Sequence, residues 1–340
     1  MKIAVDAMGG DLAPREIVRG AVAAAGEGSA EIILVGDQRR LEEELALLHP
    51  TGRIEIYHTD QVITMDEQPA LGLRRKREAS IVVATRLVKE GRAQAVVSAG
   101  STGAQMAAAL LILGRNGKIQ RPAIATPIPS LKGPKLLLDA GANVDCRPEH
   151  LYEFALMGNL YAARVMGIPN PRVGLLNIGT EACKGNEQTL GAYNLLKRAP
   201  LNFIGNVEAR EIFFGETDVI VCDGFVGNAI LKFGEGLGQA LFAMINREVN
   251  KSLRTRIGAA LLLPALRGLK KQVDYTEYGG APLLGVQGIS IICHGSSNAR
   301  AIKNAIKAAV SCINQDLVKA LGDLPGASEE GMVKGCQQSN

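Results

Sequence analysis

A chain of 340 residues with 47% hydrophobic and 21% charged side chains has enough apolar material for a large core and excludes wholesale disorder. Its net charge of +4 is local: six basic residues and no acidic ones lie between Val249 and Val273, which leaves the rest with a net negative balance. A general nucleic-acid surface is therefore not expected. The longest apolar run, Ile257 to Leu266, is far short of the roughly 20 residues a spanning helix needs, and it contains Pro264, so no membrane crossing is expected.

In chain order, short β-rich runs alternate with helical patterns. KIAVD directly after Met1 reads as a first strand, not as an export signal, which points to the cytoplasm. A helix over 13–26, strand EIILVG, helix 38–47, strand RIEIY, helix 78–90, strand AVVSAG and helix 102–114 follow. Such alternation implies parallel strands joined by crossover helices. PAIATPIPS and KLLLDAG are separated only by LKGP, too short for a crossover, so they should pair as an antiparallel hairpin. Then come helix 149–166, RVGLLNIG, helix 187–198, NFIGNV, a short helix near 207–213, DVIVCDG, helix 225–248, a basic apolar segment over 249–273, a last strand GISIIC and a last helix over 297–320. The reading is an α/β fold: one three-layer α/β/α Rossmann-like sandwich over 1–322, mostly parallel with one antiparallel hairpin, and a frayed tail over 323–340.

In such folds ligands collect at the carboxyl ends of strands. Those ends read VDAMGGD (5–11), VSAGSTGA (97–104), LDAGANVD (138–145), LNIGTEACKGNEQ (176–188), CDGFVGNA (222–229) and CHGSSN (293–298). Glycine admits close backbone approach and helix N-termini favour anions, so six such loops together point to a cleft for phosphate or carboxylate. Taken singly, each loop is equally a tight turn with a Ser or Asn cap. Lys184 is the one cation inside them, either an anion ligand or a surface lysine paired with Glu181 or Glu187. Asn228 either donates to an oxyanion or caps a helix, and His294 is either an acid/base or a strand-end histidine.

Nucleotide motifs are weak. GEGLG (234–238) lies inside a helical pattern, and Gly117-Lys118 lacks the flanks of a phosphate-binding P-loop. The six cysteines (146, 183, 222, 293, 312 and 336) lack C-x-x-C or Cys/His ligand spacing, and Cys222 and Cys293, at the ends of apolar strand-like runs, read as small buried hydrophobes. No nucleophilic triad is present.

MKIAVDAMGGDLAP, SAGSTGA, LDAGANVD, NIGTEACKGNE, CDGFVGN and HGSSN together resemble the signature stretches of the phosphate acyltransferase family of bacterial phospholipid synthesis, over about residues 1–320. The resemblance implies conversion of acyl-[acyl carrier protein] and inorganic phosphate to acyl phosphate by a homodimer, on a fold similar to phosphotransacetylases and isocitrate-dehydrogenase-like proteins. By it Lys184 and Asn228 fall on positions expected to serve the reaction, and Asp139, Asn143, Asn177 and Asp223 on neighbouring motif positions. Ser101 departs from the family's usual SAGNTGA, and Cys183 is no hallmark, which disfavours a cysteine acyl-enzyme.

This chemistry needs donors and charge more than a triad, because phosphate is already an anionic nucleophile. Lys184 is assigned to holding phosphate, Asn228 to the oxyanion or phosphate, and the loops with Ser98, Thr102, Gly103, His294 and Ser296 to lining the anion site. No metal or cofactor is required. On a helical wheel Leu253, Ile257, Ala260 and Leu261 share one face up to Pro264, and Leu262, Leu266, Leu269 and Val273 another beyond it. Pro264 marks a kink or the first turn of a second helix. Both stripes suit core or a dimer interface. Their coupling to six cations equally suits an anionic membrane surface touched by Leu261, Leu262 and Leu266, with a membrane glycerol-3-phosphate acyltransferase as the next enzyme. Two other readings stand beside this one: a phosphotransacetylase-like enzyme using coenzyme A thioesters, and a non-catalytic membrane-associated scaffold.

Overall fold

The computed structural model describes residues 1–273 and 279–326. The first sheet is built from β1 (Lys2–Asp6), β2 (Glu31–Gly36), β3 (Ile54–His58), β4 (Ala95–Ser98), β5 (Ala123–Ile124), β11 (Ala281–Leu284) and β12 (Ile289–Ile292), in the order β3-β2-β1-β4-β12-β11-β5. The second has the order β6-β7-β10-β8-β9, from β6 (Thr126–Ile128), β7 (Lys135–Leu138), β8 (Arg172–Leu176), β9 (Asn202–Val207) and β10 (Val219–Val221). The chain passes between the sheets at Ala125, whose N–H donates to Pro282 O at 3.0 Å.

Most pairings are parallel, as the alternation of elements implies. The expected hairpin is β6 and β7, paired antiparallel from Thr126–Leu137 to Ile128–Lys135. Strand β11, unexpected from sequence, is antiparallel to both β12 and β5. It is four residues long and carries Pro282, which hid it.

Apolar runs such as EIILVG and AVVS are buried on both faces, the mark of interior parallel strands. Ile3, Val5, Ile32, Leu34, Ala95 and Val97 point into one core layer, and Ala4, Ile33, Val35 and Val96 into the opposite one. On the first face lie α1 (Arg15–Gly26) and α11 (Ala299–Asn314); on the second lie α4 (Ser80–Lys89) and α5 (Thr102–Ala108). Helix α11 places Ala301, Ile302, Ala305, Ile306, Ala309 and Cys312 on one buried stripe at helical spacing. The first layer continues into the second sheet through Leu136, Leu138, Val173 and Val221, under α6 (Pro148–Arg164) and α7 (Glu187–Leu196).

Three expected boundaries shift. Helix 102–114 is α5 followed by a π-helical turn, Ala109–Leu113. The last helix breaks at Gln315–Asp316 into α11 and α12 (Leu317–Gly322), and α3 (Pro69–Arg75) was unforeseen. The remaining helices are α2 (Gln38–Ala46), α8 (Glu211–Phe214), α9 (Gly224–Val249) and α10 (Leu253–Val273). Because α10 runs unbroken through Pro264, that proline does not open a second helix; its missing N–H simply removes one intrahelical bond. Residues 323–326 stay against the body, with Leu324 N–H donating to Leu321 O at 3.3 Å. The rest of the expected tail, 327–340, and residues 274–278 lie outside the described residues.

Candidate active site

In the second sheet β7, β10 and β8 are parallel neighbours, so the loops after them, 139–147, 222–223 and 177–186, share one edge. In the first sheet β1, β4 and β12 do the same for loops 7–14, 99–101 and 293–298. Helix α9 ties the two sets together. Asn228 lies over Gly141, with its Cβ 3.6 Å from where a side chain would begin. Four residues on, and hence on the same helical face, Lys232 Nζ lies 3.2 Å from His294 Nε2. Sequence reading missed Lys232; its signal was the i,i+4 spacing from Asn228 on an unbroken helix.

Several expected ligands serve the loops themselves. Asp139 is wholly buried, and its carboxylate accepts from the N–H groups of Ile124 (3.0 Å), Gly141 (3.2 Å), Ala142 (3.0 Å) and Asn143 (2.7 Å), and from Asn143 Nδ2 (2.9 Å). Burial still pushes its carboxyl above the usual carboxylate range. Its oxygens face the loop's own amides and hold that loop in place. Asn143 is spent likewise, giving its Nδ2 also to Pro122 O at 2.7 Å. Buried Ser98 donates to Asp6 Oδ2 at 2.7 Å and accepts from Gly100 N at 3.0 Å. Asp223 accepts from Val226 N at 2.8 Å and caps α9, which removes capping as an explanation for Asn228. Ser101 caps α5 by accepting from Ala104 N at 3.4 Å, so the departure from asparagine keeps a capping residue.

Removing the Asp139 carboxylate leaves buried N–H groups without acceptors, each worth about 1–3 kcal/mol. Asp139→Ala is expected to lower unfolding free energy in urea titration by about 3 kcal/mol or more. A change within about 0.5 kcal/mol, the range of neutral surface substitutions, would show the loop is held by other means.

The groups left facing outward are different in kind. Asn177 clamps the 177–186 loop: its Nδ2 donates to Lys184 O at 3.0 Å, and its Oδ1 accepts from Ile178 N at 2.9 Å. Lys184 N–H donates to Glu181 O at 3.1 Å, and that carbonyl also accepts from Asn206 Nδ2 at 2.8 Å. Gly185 has φ +108°, and a side chain there would collide with Thr189 Oγ1 and the Asn177 amide. The Lys184 backbone is thus pinned on both sides while its side chain is exposed, and among the described residues its ammonium pairs with neither Glu181 nor Glu187. Asn228 is also exposed, and its side-chain amide has no hydrogen-bond partner among the described residues. Thr102 is exposed on the first turn of α5, and Gly103 packs against Pro69. His294 Nδ1 lies 2.8 Å from Ser296 Oγ.

The cysteines offer no nucleophile from the core. Cys222, Cys293 and Cys312 are buried, and burial pushes the Cys293 and Cys312 thiols up to about 12. Cys336 lies outside the described residues. No group of three or more His, Cys, Asp or Glu among the described residues is arranged to hold a metal ion.

Fold and loops together define an α/β protein whose strand-end loops gather along the edges of two mostly parallel sheets. Residues 1–320 match the model of a family described as fatty acid synthesis protein. The chain is 94% identical over 339 residues, the full length of both, to a phosphate acyltransferase of Moorella thermoacetica. It is 60% identical over 332 residues to one of Heliobacterium modesticaldum, covering 97% of this chain and 99% of that one. Its fold is similar to a phosphotransacetylase from Streptococcus pyogenes, with a TM-score of 0.61 at 18% identity, covering 92% of this chain and 94% of that one.

The chain belongs to this fatty acid synthesis family, among its phosphate acyltransferases. It is an enzyme of acyl transfer to phosphate, which sets the scaffold reading aside.

Proposed function

We propose that the enzyme takes its acyl group from an acyl-[acyl carrier protein] thioester and makes acyl phosphate for phosphatidic acid synthesis. The observation that carries this is the Lys184 ammonium, held on a pinned loop with no counter-ion among the described residues. Lys184 holds phosphate and offsets its charge. A phosphate oxygen attacks the thioester carbonyl carbon, forming the C–O bond, and the tetrahedral oxyanion takes an N–H from Asn228. Collapse breaks the C–S bond, and the electron pair leaves with the carrier's sulfur as thiolate. Because the nucleophile is already ionised, no side chain has to remove a proton from it.

The test is turnover with acyl-[acyl carrier protein] and phosphate, with acyl phosphate trapped as the hydroxamate. Product from coenzyme A thioesters of short acids alone would favour the phosphotransacetylase-like reading.

The same proposal includes a homodimer and peripheral contact with the inner face of the cell membrane. Phe233, Leu237, Leu241 and Met244 form an exposed apolar stripe on α9 at spacings of four, four and three, which suits a second copy. Helix α10 packs chiefly on α9, with Leu261 80% and Leu262 60% exposed. No helix among the described residues is long and apolar enough to cross a membrane. Exposed leucines beside Arg254 and Arg256 suit an anionic bilayer surface, where each cation adds about 1 kcal/mol. The Leu266 side chain lies outside the described residues. An acyl phosphate is a lipid-like product, and its acceptor would be a glycerol-3-phosphate acyltransferase in that membrane. The protein is expected to sediment with anionic vesicles, and Leu261→Glu with Leu262→Glu to release it while soluble turnover persists. Full vesicle binding by the double variant, or its unfolding, would count against membrane contact.

A further inference from the structure

Beyond the loop that carries Gly141 lies a cleft of about 750 Å³ that the steps above do not use. Arg115, Arg121 and Arg147 line it, with Asp145 as the one carboxylate, so its wall carries a positive balance. Apolar lining comes from Met106, Leu110 and Pro122, and Ala142 and Asn143 extend it to the residue after Gly141.

The arginine end is built for an acceptor. His150 is only 4% exposed and lines the cleft. Its Nδ1 accepts from the Arg147 backbone N–H at 3.1 Å, so the neutral ring carries its proton on Nε2. Burial, then the Arg147 and Arg121 charges, hold this histidine below its usual range, which keeps the ring neutral at pH 7. Nε2 lies 3.4 Å from Arg147 Nη2, so two donors face each other. Arg147 Nη2 also donates to Gln120 Oε1 at 2.8 Å, and Arg115 Nη1 to Gln120 O at 3.2 Å. Arg121 is exposed and has no hydrogen bond or ion pair among the described residues. An anionic oxygen placed between these groups would satisfy donors that the protein itself leaves facing one another.

We propose that this cleft binds the phosphodiester of the pantetheine-type arm that carries the thioester, with Arg121, Arg147 and His150 on the phosphate. The arm then runs along the apolar wall and past Ala142, and delivers the thioester to Asn228 above Gly141. This rests on the carrier-linked donor proposed above. The cleft's anion is assigned to a second phosphate, because Lys184, which holds the reacting one in the function proposed above, follows β8 and does not line the cleft.

The test uses Arg121→Gln, a change at an exposed side chain with no partner to lose, and Arg147→Gln as the second variant, each checked by circular dichroism. A hydrogen bond to a charged group accounts for roughly tenfold or more in affinity. The expected result is a KM for acyl-carrier raised about tenfold in each variant, with kcat within about twofold and the KM for phosphate unchanged. Affinity for holo-carrier, which has the arm but no acyl chain, falls in parallel, while affinity for apo-carrier, which lacks the arm, does not. A raised KM for phosphate would place the reacting phosphate in the cleft, and equal weakening of apo-carrier would assign the arginines to the carrier's protein surface. Either result overturns the assignment, as do unchanged constants. No turnover of acyl-carrier by the wild type overturns the functional reading and this inference together, whereas normal wild-type turnover with unaffected variants overturns the inference alone.

Discussion

Replacement of Lys184 by methionine is expected to lower turnover about 10²–10³-fold, the usual cost of one preorganised group at a developing charge. Folding should be untouched. The side chain is exposed and adds nothing to the core, whereas the loop is held by backbone groups and by Asn177, which methionine leaves in place. Because the ammonium holds phosphate in the ground state as well, the KM for phosphate should rise too. Lys184→Arg keeps the charge and should recover part of the rate, although a guanidinium on a longer stem cannot sit where the ammonium did. Near-normal turnover of Lys184→Met with a native circular dichroism spectrum would return the residue to an ordinary surface lysine.

Asn228→Ala should cost a similar factor, about 10²–10³, but with a different signature. An amide that bonds only the tetrahedral oxyanion acts after both substrates are bound, so kcat falls while both KM values hold. Alanine at the second turn of α9 loses no cap, because Asp223 performs that task, and it slightly favours the helix. The melting midpoint should therefore be steady or slightly raised. An unchanged kcat would remove Asn228 from the reaction and leave Lys232, on the same helical face, as the α9 residue to examine next.

The sequence by itself determined what is local. Apolar runs of four to six residues set the parallel strands, because only interior strands bury both faces. The short LKGP connection forced the β6–β7 pairing, and the helices after Asn186 and Asp223 were placed within a residue of where those side chains cap them. The six glycine-containing loops at strand ends were legible for the same reason. What only the tertiary structure decided depends on partners far apart in the chain. Membership in two sheets is settled by pairings such as β4 with β12, nearly two hundred residues distant, and a four-residue strand containing proline carries too weak a pattern to announce β11. The tertiary structure also sorted the polar residues. Asp139, Asn143 and Ser98 look like ligands in the sequence but are consumed by amides and hydroxyls brought to them by folding, whereas Lys184 and Asn228 are left outward. Lys232 meets His294, and Arg121, Arg147 and His150 share a cleft, for one physical reason: charge and donor direction become a site only when packing fixes which groups face each other and which have already been satisfied.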